Sequence, residues 1–497
     1  MRYTSSRVNS AHPPSFDPTL RTASIPSPSL YPSEATRRLI PFIVAAPLFL
    51  QNLTGSILAT ALPSLALALG SDVLHLNLAI TLYLLSVAVS LPLAAWACER
   101  VGPRRLFCAA LLIFCLGSIF AAMSQSLWHL ATARVFQGIG GAMMLPVGRL
   151  ILLRSMPPDE IVKATIWYTV PPVIGSIMGP LVGGFVVTYL SWQWLFLINV
   201  PIALAACFLA LKLLDKDGPG HKIPLDFASY ALLALSLVGM LSGLAGSGKG
   251  LLPMTLCITL VLGGLGFAWV YLQHAKRAEH PVMDFSLLRF PTFNASIVGG
   301  MGIRAGQGAI PFVLPLLFQI GFSLSPLMAG SLIFVSGVGS LLTRPVLTLA
   351  IQRYGFRHML IGATILCSLL YFSFALLRPG MSYPLIVFLL LLSGASRGML
   401  LVGMNTLGYA EIPKPKMSYA TALSTMAQQV SNTFGVALAV LLLNLAMEWR
   451  GSEILKAEDF WVGFVVLGIL NSLALFYFWA LPANAGAELT PTEDSSS

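Results

Sequence analysis

Residues 92–105 read PLAAWACERVGPRR, and residues 345–357 read PVLTLAIQRYGFR. In both, a proline is followed after six residues by a polar residue and an arginine, Glu99 and Arg100 in one, Gln352 and Arg353 in the other. A glycine and a further arginine come next at equal spacing, Gly102 and Arg104 against Gly355 and Arg357. Any connecting loop can contain Gly and Arg by chance, but Pro, Arg, Gly and Arg held in one register mark an internal repeat. The chain therefore reads as two matching halves.

The stretches flanking the two copies are apolar. Of 497 residues, 56% are hydrophobic and 10% charged, whereas soluble globular proteins carry about a quarter charged residues. Blocks of about 20 apolar residues, enough to cross a hydrocarbon core of roughly 30 Å, fall near 39–61, 74–97, 106–126, 128–153, 163–188, 193–214, 227–246, 251–273, 295–320, 326–351, 358–378, 383–405, 418–444 and 461–482. Blocks this long without strand-like alternation predict helices, which satisfy their own backbone hydrogen bonds in lipid, and not a barrel. The expected class is all-α integral membrane with about fourteen spans. The repeated loop joins spans two and three and again spans ten and eleven. Spans 1–6 then correspond to 9–14, and spans seven and eight are an inserted central pair. The resulting units are a tail at 1–36, a six-helix bundle at 37–214, the inserted pair with its flanking loops at 215–290, a second six-helix bundle at 291–482, and a tail at 483–497.

Lys and Arg in the connecting segments set the orientation. With the N-terminus inside, the inner segments collect about twenty of them, including Arg105, Arg154, Lys216 and Lys276, while the outer ones hold Lys249, Arg378, Arg450 and Lys456. Both termini are expected to be cytoplasmic, in a multi-pass membrane protein. The formal charge of +10 is spread between spans and makes no patch for nucleic acid. The tail at 1–36 is rich in Ser, Pro and Thr and has no apolar block for a cleavable signal, so it reads as disordered. Arg37 and Arg38 before the first block read as its cytoplasmic cations and not as a twin-arginine signal. The six cysteines lack the spacing of a zinc site or a disulfide framework and read as packing residues.

The loop ERVGPRR, from Glu99 to Arg105, resembles the loop between the second and third helices of the major facilitator superfamily, and the chain from 37 to 482 is similar to that superfamily's fourteen-span drug:proton antiporters. Two further stretches carry the resemblance. ARVFQGIGGAMMLP places Arg134, Gln137, Gly138 and Pro146 as in the family's R…QG…P signature, and GSIMGPLVGG places Gly175, Gly179, Pro180, Gly183 and Gly184 as in its antiporter motif. The resemblance implies the major facilitator fold and a secondary transporter, not an enzyme, that expels amphiphilic molecules by alternating access. It also implies lipid, a small-molecule substrate, protons and an accessory export protein as partners, with no cofactor and no metal. The loop residues Glu99, Arg100, Gly102, Arg104 and Arg105, with Arg353, Gly355 and Arg357 in the second copy, would hold and release one conformation.

An ionisable residue inside an apolar helix is costly unless it meets a partner or water. Arg134 is therefore expected to line a central cavity, and the resemblance associates it with proton coupling. In the ninth span Arg304 and Gln307 lie one turn apart on one face, and Arg304 is expected to select substrate as a shielded cation. Gln51, Asn52 and Asn405 add hydrogen-bonding groups, and Tyr83, Trp167 and Tyr168 aromatic surface. QNLTGSILATALP departs from the family: Thr54 stands where these antiporters commonly have Asp. Coupling then either uses Glu99 or Glu411 together with Arg134, or is absent. Two alternatives follow, a transporter of one specific anionic metabolite and a membrane sensor that does not transport. HKIPLD, with His221 and Asp226, lacks a catalytic domain around it, and GSGKG around Lys249 is too short for a phosphate loop, so no nucleotide site is expected.

Overall fold

The computed structural model describes residues 32–486 apart from 158–159, 218–225, 247–251, 276–284, 414–415, 453 and 483–484, so His221 and Lys249 lie outside the described residues. Among these it contains 14 helices long and apolar enough to cross a membrane. The first six are α1 (Glu34–Leu69), α2 (Asn77–Val101), α3 (Pro103–Ala122), α4 (Leu127–Ser155), α5 (Ile161–Tyr189) and α6 (Trp194–Leu213). Next come α7 (Phe227–Gly246) and α8 (Met254–Ala275). The rest are α9 (Pro291–Gly321), α10 (326–354), α11 (356–375), α12 (Tyr383–Gly408), α13 (Met417–Arg450) and α14 (Ala457–Trp479).

Helices α10 and α11 form one helical run, Pro326–Ala375, that reverses at Gly355, where φ is 73° and ψ 167°. Gly102 makes the corresponding reversal between α2 and α3 with φ 97° and ψ 147°. Both angles lie where a Cβ is strained, which is why each repeat copy has glycine there. After each turn an arginine reaches the last helix of its own half: Arg104 Nη2 donates to the Leu211 carbonyl on α6, and Arg357 Nη2 to the Trp479 carbonyl on α14 at 2.9 Å. The sequence repeat is thus a repeat of contacts.

Helices α1–α6 pack mainly on one another, as do α9–α14, and the two bundles share a core at the ends of the helices away from the chain termini. There Leu62, Leu65 and Leu76 of the first bundle are buried with Phe312, Val313 and Phe318 of the second. The Gln319 amide donates to the Thr60 carbonyl across the seam at 2.7 Å. The inserted pair covers one side of this seam, since α7 packs against both α2 and α13. Helix α8 buries Cys257, Gly264 and Tyr271 at heptad spacing, a single seam against α7, and leaves Leu262 and Trp269 more than 60% exposed to what would be lipid.

Candidate functional site

A cavity of about 580 Å³ lies between the bundles. Helices α1, α2, α4 and α5 line it from the first half, and α9, α10, α12 and α13 from the second. The two sets correspond through the repeat, one to nine, two to ten, four to twelve and five to thirteen. The wall is mixed in character: apolar side chains such as Ile177, Ile310, Phe312 and Ile333 stand beside Gln51, Asn52, Gln307, Gln428, Gln429 and Asn432.

Helix α5 shows how the wall is built. A Cβ on Gly175 would lie 2.6 Å from the Phe49 carbonyl oxygen, one on Gly183 2.9 Å from that of Ile57, and one on Gly179 would strike Ser56. The i, i+4, i+8 glycines are therefore the face on which α1 lies directly. Gly184 points elsewhere: its Cβ would stand 2.8 Å from the Leu327 Cα and against the Pro326 carbonyl of α10. Pro180 opposite Gly330 and Ile177 opposite Gly337 continue this contact between bundles toward the membrane centre. Ile177, Pro180 and Gly337 also edge the cavity, which one turn further toward the termini is lined by Val173 on α5 and by Ser340 and Leu341 on α10. The bundles are therefore zipped on the far side, and the inner end of that contact forms the edge of the cavity.

Arg134 is almost wholly buried at the cavity wall. Its Nη1 donates to Gln137 Oε1 at 2.8 Å, its Nε to the Ala79 carbonyl at 3.4 Å, and its guanidinium lies 4.2 Å from the Tyr83 ring centroid. Gln137 Nε2 donates to Ser118 Oγ at 2.8 Å, Asn199 Nδ2 to the same oxygen at 3.5 Å, and Thr54 Oγ1 to Asn199 Oδ1 at 2.9 Å. A polar chain thus runs through the first bundle from Arg134 by way of α3 and α6 to Thr54. Thr54 is buried, and the cavity wall does not include it.

Arg304 is fully buried, and it too is absent from the wall. Helix α9 contains a π turn at Ala295–Gly299, which displaces backbone carbonyls from their usual donors. Arg304 Nη1 takes up the Ser296 carbonyl at 2.5 Å and that of Ile297 at 3.5 Å, while its Nη2 donates to Asn405 Oδ1 at 3.1 Å. The cation that the sequence assigned to substrate is in this structure a brace between α9 and α12. Of the other expected site residues, Gln51, Asn52 and Gln307 line the cavity, Gln137 stands behind Arg134, and Asn405 holds Arg304. Tyr83 lines the cavity, Trp167 lies against Phe42 with ring centroids 5.2 Å apart and planes tilted by 43°, and Tyr168 donates to the Leu145 carbonyl.

The loop residues hold the ends of the helices. Asp217, just past α6, accepts the Arg104 backbone N–H at 3.0 Å on one carboxylate oxygen and that of Arg105 at 2.8 Å on the other, capping α3. The guanidinium of Arg100 lies over the Trp96 ring and that of Arg353 over Tyr354. Glu411 accepts from both the backbone N–H and the hydroxyl of Thr292 and so holds the start of α9. The Glu99 side chain lies outside the described residues. At the foot of the inserted pair, Asp226 accepts from the Ser229 backbone and hydroxyl and lies 3.2 Å from His274 Nε2. The Ser229 hydrogen bonds, and after them His274, hold its carboxyl below the ordinary carboxylate range.

Sequence reasoning missed Asp217, Arg397, Gln428, Gln429 and Asn432. Arg397 left a signal, a cation in the middle of the apolar block LLLLSGASRGMLLVG. Gln428, Gln429 and Asn432 share one face of α13, which the helical period exposes once that helix is aligned with α5.

The family profile described as Major Facilitator Superfamily matches residues 46–303 and 296–493. The protein from Citrobacter koseri named "Putative multidrug resistance protein MdtD" is 37% identical over 411 residues, 81% of this chain and 86% of its own length. A protein of the same name from Salmonella paratyphi A matches over the same extent at the same identity. Among solved structures, a peptide transporter POT in complex with sulfate superposes with a TM-score of 0.67 at 16% identity, covering 91% of this chain and 96% of that one. At that identity the likeness concerns the fold.

Proposed function

The chain belongs to the major facilitator superfamily, and from that premise we propose that it is a secondary transporter that expels amphiphilic small molecules from a bacterial cell by alternating access. The observation that carries this reading is the cavity itself. It lies at the seam of two halves, is lined by corresponding helices of each, and ends against a far-side contact made by glycines and small surfaces. Such a contact opens by rocking one bundle on the other without repacking either core. The wall, largely apolar with scattered amides, suits a ligand with both an apolar body and polar groups. The multidrug resistance assigned by name to the relatives favours export.

In this reading both termini face the cytoplasm, the cavity is open inward, and the units at 37–214 and 291–482 move against each other. The proton gradient drives export, with Arg134 and its polar chain at the coupling site in place of the acid that Thr54 replaces. Expression in cells lacking their own efflux pumps tests the proposal. Dye accumulation is expected to fall on expression and to recover when a protonophore is added. Accumulation equal to that of cells carrying an empty vector overturns export. A fall that a protonophore leaves untouched overturns proton coupling alone.

A further inference from the structure

We infer that the cavity selects anionic amphiphiles, with a carboxylate or sulfonate group of the ligand seated on Arg397; this deepens the exporter reading above and rests on it. Among the described residues that line the cavity, Arg134 and Arg397 carry charge, and none is Asp or Glu. The two cations differ in what they already hold. Arg134 is engaged by the Gln137 amide, the Ala79 carbonyl and the Tyr83 ring. Arg397 has no acidic partner among the described residues, and its buried Nε makes no hydrogen bond.

The packing of α12 sets the side of the helix on which Arg397 stands. Arg397 lies halfway along α12, and the glycines beside it press that helix onto α10. A Cβ on Gly398 would stand 2.9 Å from the Ser340 carbonyl oxygen, and one on Gly394 would strike the Ser336 carbonyl. Arg397 stands beside that face on the cavity wall, and the neutral side chains of Cys367 and Tyr371 on α11 are close enough to feel its charge. A guanidinium at membrane depth without a counter-charge is held at a cost that an anion relieves and a cation increases. The same group therefore attracts one class of amphiphile and repels the other. Gln428, Gln429 and Asn432 on the same cavity supply amide donors for further acceptor atoms, and Ile310, Phe312 and Ile333 supply an apolar surface for the ligand body.

Counterflow in liposomes containing the purified full chain tests this without depending on the driving ion. Fluorescein is an anion and rhodamine 123 a cation on the same xanthene frame. Fluorescein is expected to exchange faster than rhodamine 123. Arg397→Gln is expected to slow fluorescein by about tenfold or more, the loss of a charge-assisted contact, and to leave rhodamine 123 unchanged or faster. Arg397→Lys keeps the charge and should restore much of the fluorescein rate, which separates lost recognition from lost folding. Faster exchange of rhodamine 123 by the unaltered protein, or an equal loss of both dyes in Arg397→Gln with no rescue by Lys, overturns the anion assignment and leaves the transporter reading standing. Exchange of neither dye, with no rise in melting temperature from either, overturns both.

Discussion

Gly184→Ala acts on the contact that closes the far side. The new Cβ would lie 2.8 Å from the Leu327 Cα and against the Pro326 carbonyl. Both neighbours are backbone, so relief requires α10 to move as a body. Overpacking of this kind costs about 1–3 kcal/mol. The clash exists where α5 and α10 touch and vanishes when the far side opens, so the cost falls on one state. A difference of 1–3 kcal/mol shifts a two-state balance by roughly 5–150-fold. Starting from roughly 99:1, the upper end leaves about 40:60. The larger Gly184→Val reaches that end more surely. Leu341 lines the cavity, and a cysteine there reports the population through its rate of reaction with an impermeant maleimide added from the side of the termini. The six native cysteines are all buried and should add little background. Labelling is expected to slow by about half or more in Gly184→Val. It should stay unchanged in Gly362→Ala, whose added Cβ meets nothing within 4 Å. Equal labelling in Gly184→Val and the unaltered protein would refute the assignment of this contact to far-side closure.

Asp217→Ala removes the acceptor of two backbone N–H groups at the start of α3, and loss of such a cap costs about 1 kcal/mol; a lowered melting temperature, partly restored in Asp217→Asn, checks it. Arg304→Gln removes the charged donor to the Ser296 and Ile297 carbonyls and to Asn405, a loss of roughly 1.5–3 kcal/mol. Melting temperature should fall while the ratio of fluorescein to rhodamine 123 exchange holds, and a changed ratio at constant stability would place Arg304 in substrate recognition after all. The carboxyl of Asp226 titrates below its unfolded value, so its contribution is present above the ordinary carboxylate range and is lost as pH falls through the folded value. Protection against hydrogen exchange in the first turn of α7, corrected for the intrinsic rate at each pH, should fall on acidification, and in Asp226→Ala it should be low at every pH.

The architecture was legible because a bilayer imposes a simple rule, that each span must be long, apolar and helical, and because the repeat fixed the count where hydropathy alone drifts. The loop residues were legible for a related reason. A reversal within a few residues demands glycine, and an arginine that follows it can reach only the end of a neighbouring helix, as Arg104 and Arg357 do. Asp217 escaped because it stands among cations in a segment read for its positive charge. What could not be read was rotation about the helix axis. Helix α9 carries Arg304 and Gln307 on one face, and the sequence alone sends both to the same surroundings. Gln307 faces the cavity while Arg304, one turn away, faces inward to the π turn. No periodicity in the sequence announces a π turn, and it is this turn that creates the carbonyls Arg304 serves.

Thr54 brings that difficulty to bear on mechanism. In sequence it looked like an acid lost from the cavity, yet its hydroxyl begins a buried chain that ends at Arg134. A cation at a cavity wall needs its direction fixed, and Arg134 obtains this from neutral groups on α3, α4 and α6 instead of from a carboxylate. Thr54→Val tests whether the chain acts as a unit. The valine matches threonine in shape but leaves Asn199 Oδ1 without its donor, a buried acceptor worth about 1–3 kcal/mol. If the chain positions Arg134, the loss is transmitted: melting temperature falls and transport falls with it, and Thr54→Ser restores both. If Thr54→Val melts lower but transports at the original rate, the chain only stabilises the bundle, and Arg134 is held well enough by Tyr83 and Ala79.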